Sequence, residues 1–228
     1  MITVTIPALN EEDHIRETIQ GIHKALSQCS QNNFSIFVFN DCSMDRTGAI
    51  AVECAKELNN VTVVNNSNRK GLGWCFKETL RRTDVGHMVL IPGDNAYKAE
   101  SLVNVFSKIR DDIAVFGYRI NQFQARPMDK AMVSFLYNFF IKIILGLKIK
   151  DIHGVTILPV KKLKKIQFHA IENMFQIEAI YKVLNSGCLF SEEPVELNVE
   201  SGKQTKRGIS LKAFRNIIKT LMILKFNK

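Results

Sequence analysis

Ile2-Thr3-Val4-Thr5-Ile6-Pro7-Ala8-Leu9-Asn10-Glu11 opens the chain, and Ile15, Ile19, Ile22 and Leu26 follow it at helical spacing. A short β-branched run, a tight polar loop and then an amphipathic helix predict one strand–helix unit, with the helix over 11–29. The pattern recurs downstream. Phe34–Phe39 predicts a strand, and Asp45–Leu58 a helix carrying Ala51, Cys54, Ala55 and Leu58 on one face. Val61–Val64 and His87–Ile91 predict two further strands, separated by a helix over Leu72–Leu80. A helix with Leu102, Val105, Phe106 and Ile109 in one stripe leads to a fifth strand at Ile113–Phe116. Strands alternating with helices of this length predict an α/β fold: a Rossmann-like, mostly parallel central sheet, joined by right-handed crossovers and flanked by helices. In such sheets ligands bind beyond the carboxyl ends of the strands, so the strand-to-helix loops are the places to look for chemistry.

The second half is less regular. Met128–Leu147 predicts an apolar helix, Asp151–Pro159 a loop running into a strand, Glu172–Asn185 a helix and Cys188–Val199 strand. No repeat or linker divides the chain. The reading is one domain over 1–210, followed by a basic amphipathic helix over 211–228.

With 228 residues, 46% hydrophobic and 23% charged, the chain has the composition of a folded domain rather than a disordered segment. Its net charge of +9 suits an anionic partner: nucleic acid, an acidic membrane surface or a phosphorylated substrate. The basic residues are not interleaved with aromatics in a nucleic-acid-binding module, which argues against nucleic acid. The cysteines, Cys29, Cys42, Cys54, Cys75 and Cys188, are odd in number and form no C-x-x-C pair, so a reducing cytosol is the simpler setting. No signal peptide and no spanning segment are expected. Met132 to Ile149, interrupted by Asn138 and Lys142, reads as a buried or interfacial helix. The expected location is cytoplasmic, with peripheral contact on the inner face of the membrane. The contact is expected through the last helix, where Leu211, Phe214, Ile217, Ile218 and Leu221 run beside Lys212, Arg215 and Lys219. A terminal helix packed on the domain fits that pattern equally well.

Several loop residues could carry chemistry. Asp41, after the second strand, can accept hydrogen bonds from a nucleobase, whereas Asp45 reads first as a helix cap. Asp94 follows the fourth strand in Pro92-Gly93-Asp94-Asn95, all turn-forming residues. A single carboxylate there suffices for a Mg²⁺ ion that draws its other ligands from water and phosphate. Asn68-Arg69-Lys70-Gly71-Leu72-Gly73 is a glycine-containing loop opening a helix, suited to close approach by a phosphate. It is neither a dinucleotide fingerprint nor a P-loop. Arg119, Arg126, Lys206 and Arg207 are candidate phosphate grips or plain surface cations. Glu178, on an apolar helix, is a candidate general base or acceptor orienter, or else an exposed helix residue. Asp151 is a second candidate base, beside the loop residue His153.

Taken together these segments resemble family-2 glycosyltransferases. Val4 to Glu12 resembles their opening P-A-[YL]-N-E-E. Asn40-Asp41-Cys42-Ser43-Met44-Asp45-Arg46-Thr47 is similar to D-D-G-S-x-D-x-T, and Asn68 to Gly73 to their N-x-G-x-G loop. Leu90 to Asp94 stands in the place of the D-x-D metal motif, with Glu100 beyond it, and Gly117-Tyr118-Arg119 resembles G-S-R. Leu145-Gly146, Asp151 to Gly154, the helix with Glu178, Pro194-Val195 and Arg207 to Ser210 follow the order of the polyprenyl-phosphate branch.

The resemblance implies a GT-A-type fold, a UDP- or GDP-sugar donor, Mg²⁺ or Mn²⁺, and inversion at the anomeric carbon. Pro7, Ala8, Asn10, Glu11, Asp41, Lys70, Gly71 and Gly93 would line the nucleotide-sugar site. Asp94 would hold the metal, Arg119 and Arg207 would face phosphates, and Glu178 would lie near the acceptor, a polyprenyl phosphate or a glycan hydroxyl. Asn40 and Pro92 replace the first acids of the D-D and D-x-D pairs, and Ala96 stands where the lipid-phosphate branch often has a Gln. The alternative reading is therefore a nucleotide-sugar-binding relative weakened in catalysis. A sugar nucleotidyltransferase is disfavoured, because the loop after the first strand is acidic and lacks glycine.

Overall fold

Seven consecutive buried residues, Ile2–Ala8, form the first strand, β1, in the interior of the sheet. Burial on both faces is what a central parallel strand requires. A computed structural model describes residues 1–29, 33–125, 127–169, 174–199, 217 and 220–225. The chain continues through α1 (Ile15–Gln28), β2 (Phe34–Asn40), α2 (Thr47–Glu57), β3 (Val61–Asn65), α3 (Leu72–Arg82) and β4 (His87–Leu90). It then forms α4 (Ala99–Ser107), β5 (Ala114–Arg119), a short α5 (Gln122–Ala125) and the long α6 (Met128–Leu145). β6 (Thr156–Pro159), α7 (Val160–Leu163), α8 (Phe175–Asn185) and β7 (Phe190–Val195) complete the named elements.

The strands make one sheet in the order β3-β2-β1-β4-β6-β5-β7. All pairings are parallel except those of β6, which runs antiparallel between β4 and β5. Register levels the ends of three strands: Ala8 lies beside Asn40, and Asn40 beside Asn65. The loops that follow therefore start from one rim.

Alternation of side chains divides the core into two layers. Ile2, Val4, Ile6, Val89, Val115 and Ile157 point to one face, where Ile15, Ile19, Ile22 and Leu26 of α1 meet Leu102, Val105 and Phe106 of α4. Met88, Ala114, Phe116 and Leu158 point to the other, against Phe76 of α3, Ile141 and Leu145 of α6, and Phe175, Ile180 and Val183 of α8. Leu221 and Leu224, in the helical stretch 220–225, are buried in this second layer.

Differences from the sequence reading concern element ends. The first helix begins at Ile15, because Glu11 to His14 forms a turn in which the Glu11 carbonyl accepts the amides of His14 and Ile15. The second begins at Thr47, after Asp45. The third runs on to Arg82. The segment 151–159 is extended only from Thr156. Near β6 the main chain comes very close to β5: a Cβ on Gly154 would sit 1.6 Å from the Gly117 carbonyl oxygen. Among the described residues, no helix is long and apolar enough to cross a membrane.

Candidate active site

The loops after β1 and β2 are laced together by polar contacts. Asn10, at φ 57°, donates its amide to Ser43 Oγ (3.0 Å), and its Oδ1 accepts the Met44 amide (2.9 Å). The Glu11 amide donates to Thr47 Oγ1 (2.7 Å), the Glu12 amide to Asp45 Oδ2 (3.2 Å), and the Arg46 amide to Glu12 Oε2 (3.0 Å). Asp45 Oδ1 also takes the Thr47 amide at the start of α2 (3.0 Å), so Asp45 staples loop to helix. Asn40 bridges outward, its Nδ2 donating to Asn65 Oδ1 (2.9 Å) and its Oδ1 accepting the Ser43 amide (3.2 Å).

Asp41 is buried at the centre of this rim. Its Oδ1 accepts Asn66 Nδ2 (2.9 Å) and the Lys70 amide (2.8 Å), and its Oδ2 accepts the Gly71 amide (2.8 Å). Burial alone would raise its pKa. The two amides, Asn66 and the nearby Arg69 charge outweigh burial and hold it below the usual value. The carboxylate thus shapes the 66–71 loop and presents the exposed Arg69 and Lys70 at the rim.

Asp94 lies on the next loop along the rim. The Gly93 amide donates to the Pro7 carbonyl (3.0 Å), while the Asp41 amide donates to the Ala8 carbonyl (2.9 Å). Both acidic loops are therefore anchored to adjacent peptides at the end of β1. Gly93 passes close enough that a Cβ would approach Ala8 Cβ and Ile15 Cδ1 to 3.0 Å. The turn is held from α1 by Thr18, whose hydroxyl lies 3.1 Å from the Gly93 carbonyl and accepts the Asn95 amide (3.0 Å). Asn198 Nδ2 donates to the Asn95 and Tyr97 carbonyls at 2.8 and 3.1 Å. No group of three or more His, Cys, Asp or Glu is placed to hold a metal among the described residues. A lone carboxylate on a hydrogen-bonded turn fits a hard cation shared with a diphosphate, rather than one caged by protein ligands. A cavity of about 300 Å³ lies between α1, α4 and this turn. Glu17 and Glu100 stand in its wall, and Lys98 there is paired with Glu196, which makes it a poor home for a diphosphate.

Tyr97 connects this turn to a second polar spot, donating its hydroxyl to the His153 carbonyl (3.3 Å). There Arg119, ending β5, meets Asp151 in a buried two-point ion pair: Nε to Oδ2 at 2.7 Å and Nη2 to Oδ1 at 3.0 Å. Asp151 also accepts the Arg119 and His153 amides at 3.3 and 3.0 Å. Arg119 Nη2 reaches Ser134 Oγ of α6 (3.4 Å), and His153 stacks on Tyr137 at 5.1 Å. Burial would raise the Asp151 pKa, but Arg119 and the His153 amide lower it below the usual value. An ionised, engaged carboxylate is a poor proton acceptor, and its partner is not a loose phosphate grip.

Glu178 is fully buried rather than exposed. The His169 amide donates to both its oxygens at 3.0 and 2.9 Å, and Lys182 Nζ lies 2.7 Å from Oε1. It pins the 165–169 segment to α8. The Glu178–Lys182 spacing of i,i+4 is a signal legible in the sequence that favours pairing over base chemistry. Thr18 and Asn198 were missed by sequence reasoning, since single hydroxyls and amides give no pattern, and Ser43 and Thr47 stood in the D-D-G-S-x-D-x-T resemblance without an assigned role. Arg126, Lys206, Arg207 and most of 211–228 lie outside the described residues.

A model of the family described as Glycosyl transferase family 2 matches residues 3–166. The chain is 25% identical over 204 residues to an undecaprenyl-phosphate mannosyltransferase of Micrococcus luteus, covering 85% of this chain and 82% of that protein. The fold is shared with glucosyl-3-phosphoglycerate synthase from Mycobacterium tuberculosis, crystallised with Mn²⁺, uridine diphosphate and glucosyl-3-phosphoglycerate. The TM-score is 0.65 at 17% identity, over 99% of this chain and 80% of that one. A mannosyltransferase from Pyrobaculum calidifontis, in complex with GDP-Man and Mn²⁺, superposes with a TM-score of 0.63 at 14% identity, over 98% of this chain and 69% of that one.

Proposed function

The chain belongs to glycosyl transferase family 2 and is a sugar-transferring enzyme, and on that premise we propose that it moves a sugar, with inversion, from a UDP- or GDP-sugar to an acceptor that carries its own ionised oxygen, such as a polyprenyl phosphate. One observation carries the donor half: the Asp41 and Asp94 loops both hydrogen-bond to the end of β1, side by side on one rim. The donor would lie over Pro7, Ala8, Asn10 and Glu11, with its diphosphate between the 93–94 turn and the Lys70-Gly71 loop. Asp94 would hold Mg²⁺ or Mn²⁺, which supplies positive charge to a departing diphosphate. Arg69 and Lys70, set at the rim by Asp41, add further positive charge there.

The acceptor half rests on Asp151 and Glu178. Both candidate bases are occupied by cations, Arg119 and Lys182. A sugar hydroxyl would need a base to take its proton, whereas a phosphate monoester is already ionised at neutral pH. The likeness to an undecaprenyl-phosphate mannosyltransferase points the same way. Arg207 would meet a phosphate of donor or acceptor.

The test is a thermal-shift screen of UDP- and GDP-sugars with and without Mn²⁺, on wild type and Asp94→Ala, followed by transfer to polyprenyl phosphate. One donor should stabilise the wild type only with metal, the variant should lose that response, and transfer should follow the same pattern. Metal-independent stabilisation by every donor, unchanged in Asp94→Ala, overturns the assignment. Because Asn40 and Pro92 replace acids, donor binding without any transfer would favour the catalytically weakened alternative.

A further inference from the structure

The helix α6 wears its apolar residues on the wrong side for a soluble domain. Ala131, Ile141 and Leu145 form a narrow buried stripe, with the half-buried Ser134 and Asn138 along it. Those two polar side chains hold the 119–153 region: Ser134 meets Arg119, and Asn138 accepts the Ile152 amide (3.2 Å) and donates to the Lys150 carbonyl (3.1 Å). Apart from the half-buried Tyr137 and Lys142, the described residues from Met132 to Ile144 outside that stripe are exposed and hydrophobic. Met132, Phe135, Leu136, Phe139, Phe140 and Ile143 all face outward, with Phe140 57% and Ile143 62% exposed. Phe123 of α5 extends the patch through a ring contact with Phe135. Monomeric soluble proteins rarely leave so continuous an apolar surface bare.

Charge selects what covers it. Past Asp129 in its first turn, α6 and the loop after it carry Lys142, Lys148 and Lys150 and no acid up to Lys150. Lys142 Nζ donates to the Lys150 carbonyl (3.0 Å), Lys150 lies over the Tyr118 ring and Lys148 is exposed. Two copies meeting through α6 would bring these lysines together in a chain whose net charge is already +9. An anionic bilayer offers what both features need, apolar depth for the rings and negative headgroups for the lysines. Spanning is ruled out by the buried stripe, which is committed to the domain. We propose that α6 is a membrane-docking helix that lies in the plane of an anionic lipid surface, seating the exposed face of Phe135, Phe139, Phe140 and Ile143 below the headgroups. The described part of the last helix is otherwise engaged, with Leu221 and Leu224 buried in the domain. Docked this way, the Arg119–Asp151–His153 spot sits about one helix diameter, ~10 Å, from the lipid. The inference extends the lipid-phosphate reading but stands on the helix alone.

The test is co-sedimentation of the full chain with phosphatidylcholine vesicles and with vesicles of phosphatidylcholine and phosphatidylglycerol in equal parts. Wild type should partition to the anionic vesicles and lose that partition as salt rises. Phe139→Ser/Phe140→Ser/Ile143→Ser should bind them roughly tenfold or more weakly while keeping its melting temperature and its donor-induced thermal shift. Lys148→Glu should weaken binding to a smaller degree. Wild type failing to bind anionic vesicles, or the triple variant binding as wild type does, overturns the proposal. So does a wild-type dimer in sedimentation velocity that the triple variant abolishes while vesicle binding stays absent. Retention of the donor response in the triple variant separates failure of docking from failure of the transferase reading.

Discussion

Carboxylates in the two halves of the molecule are held by different means. In the rim of residues 7–95, Asp41, Asp45 and Glu12 are gripped chiefly by main-chain amides. Beyond Arg119, Asp151 and Glu178 also accept main-chain amides, but each is paired in addition with a side-chain cation, Arg119 or Lys182. Amides orient a carboxylate and leave its negative charge in place, whereas a guanidinium or ammonium cancels it. The first region therefore keeps its carboxylates charged beside the turn where Asp94 is proposed to hold a divalent cation, and in the second the paired charges fix geometry.

If that contrast is right, cutting an ion pair should hurt stability most. Arg119→Ala leaves Asp151 buried and charged, and should cost roughly 3–5 kcal/mol of unfolding free energy in urea titrations. Asp94→Ala should do the opposite, lowering the transfer rate by roughly 10²–10³-fold with little change in melting temperature. Both effects appearing in both variants would erase the distinction. Asp41→Asn removes charge while keeping one acceptor oxygen. It should cost about 1–3 kcal/mol of stability and weaken donor binding measured calorimetrically. Asp45→Ala, which loses the staple at the start of α2, should cost about 1 kcal/mol.

Acid titration sharpens the comparison further. The pKa values of Asp41 and Asp151 are both depressed in the folded protein. Their stabilisation is present at neutral pH and drains away as pH falls below the ordinary Asp value of about 3.9 toward their folded values. Arg119→Ala removes the main depressing influence on Asp151 and leaves burial to raise its pKa. Asp151 then no longer loses stabilisation in acid, and the melting temperature of the variant should fall less than that of wild type from neutral pH to the acid limb. An unchanged acid limb would count against the pair as described.

The strand–helix alternation from Ile2 to Phe116 was legible because each element there is amphipathic or wholly apolar and bounded by a polar loop. The rim loops followed from strand direction alone. β6 was harder, since Thr156–Pro159 gains its antiparallel place between β4 and β5 from partners some 40 or more residues away. Arg119 and Asp151, 32 residues apart, each read as a separate ligand group because nothing local announces that they meet. In α6 the periodicity is weak, as Met132 to Ile144 is apolar on nearly every side, so the sequence could not say which edge faces the domain.

The near-contact of Gly154 with Gly117 has a consequence for that meeting. Gly117 lies two residues before Arg119, and Gly154 three after Asp151. With a methyl group at 154 the two backbones would have to part, and the guanidinium would be drawn out of reach of its carboxylate. The spacing of Arg119 and Asp151 is thus set by a hydrogen atom, the side chain of Gly154.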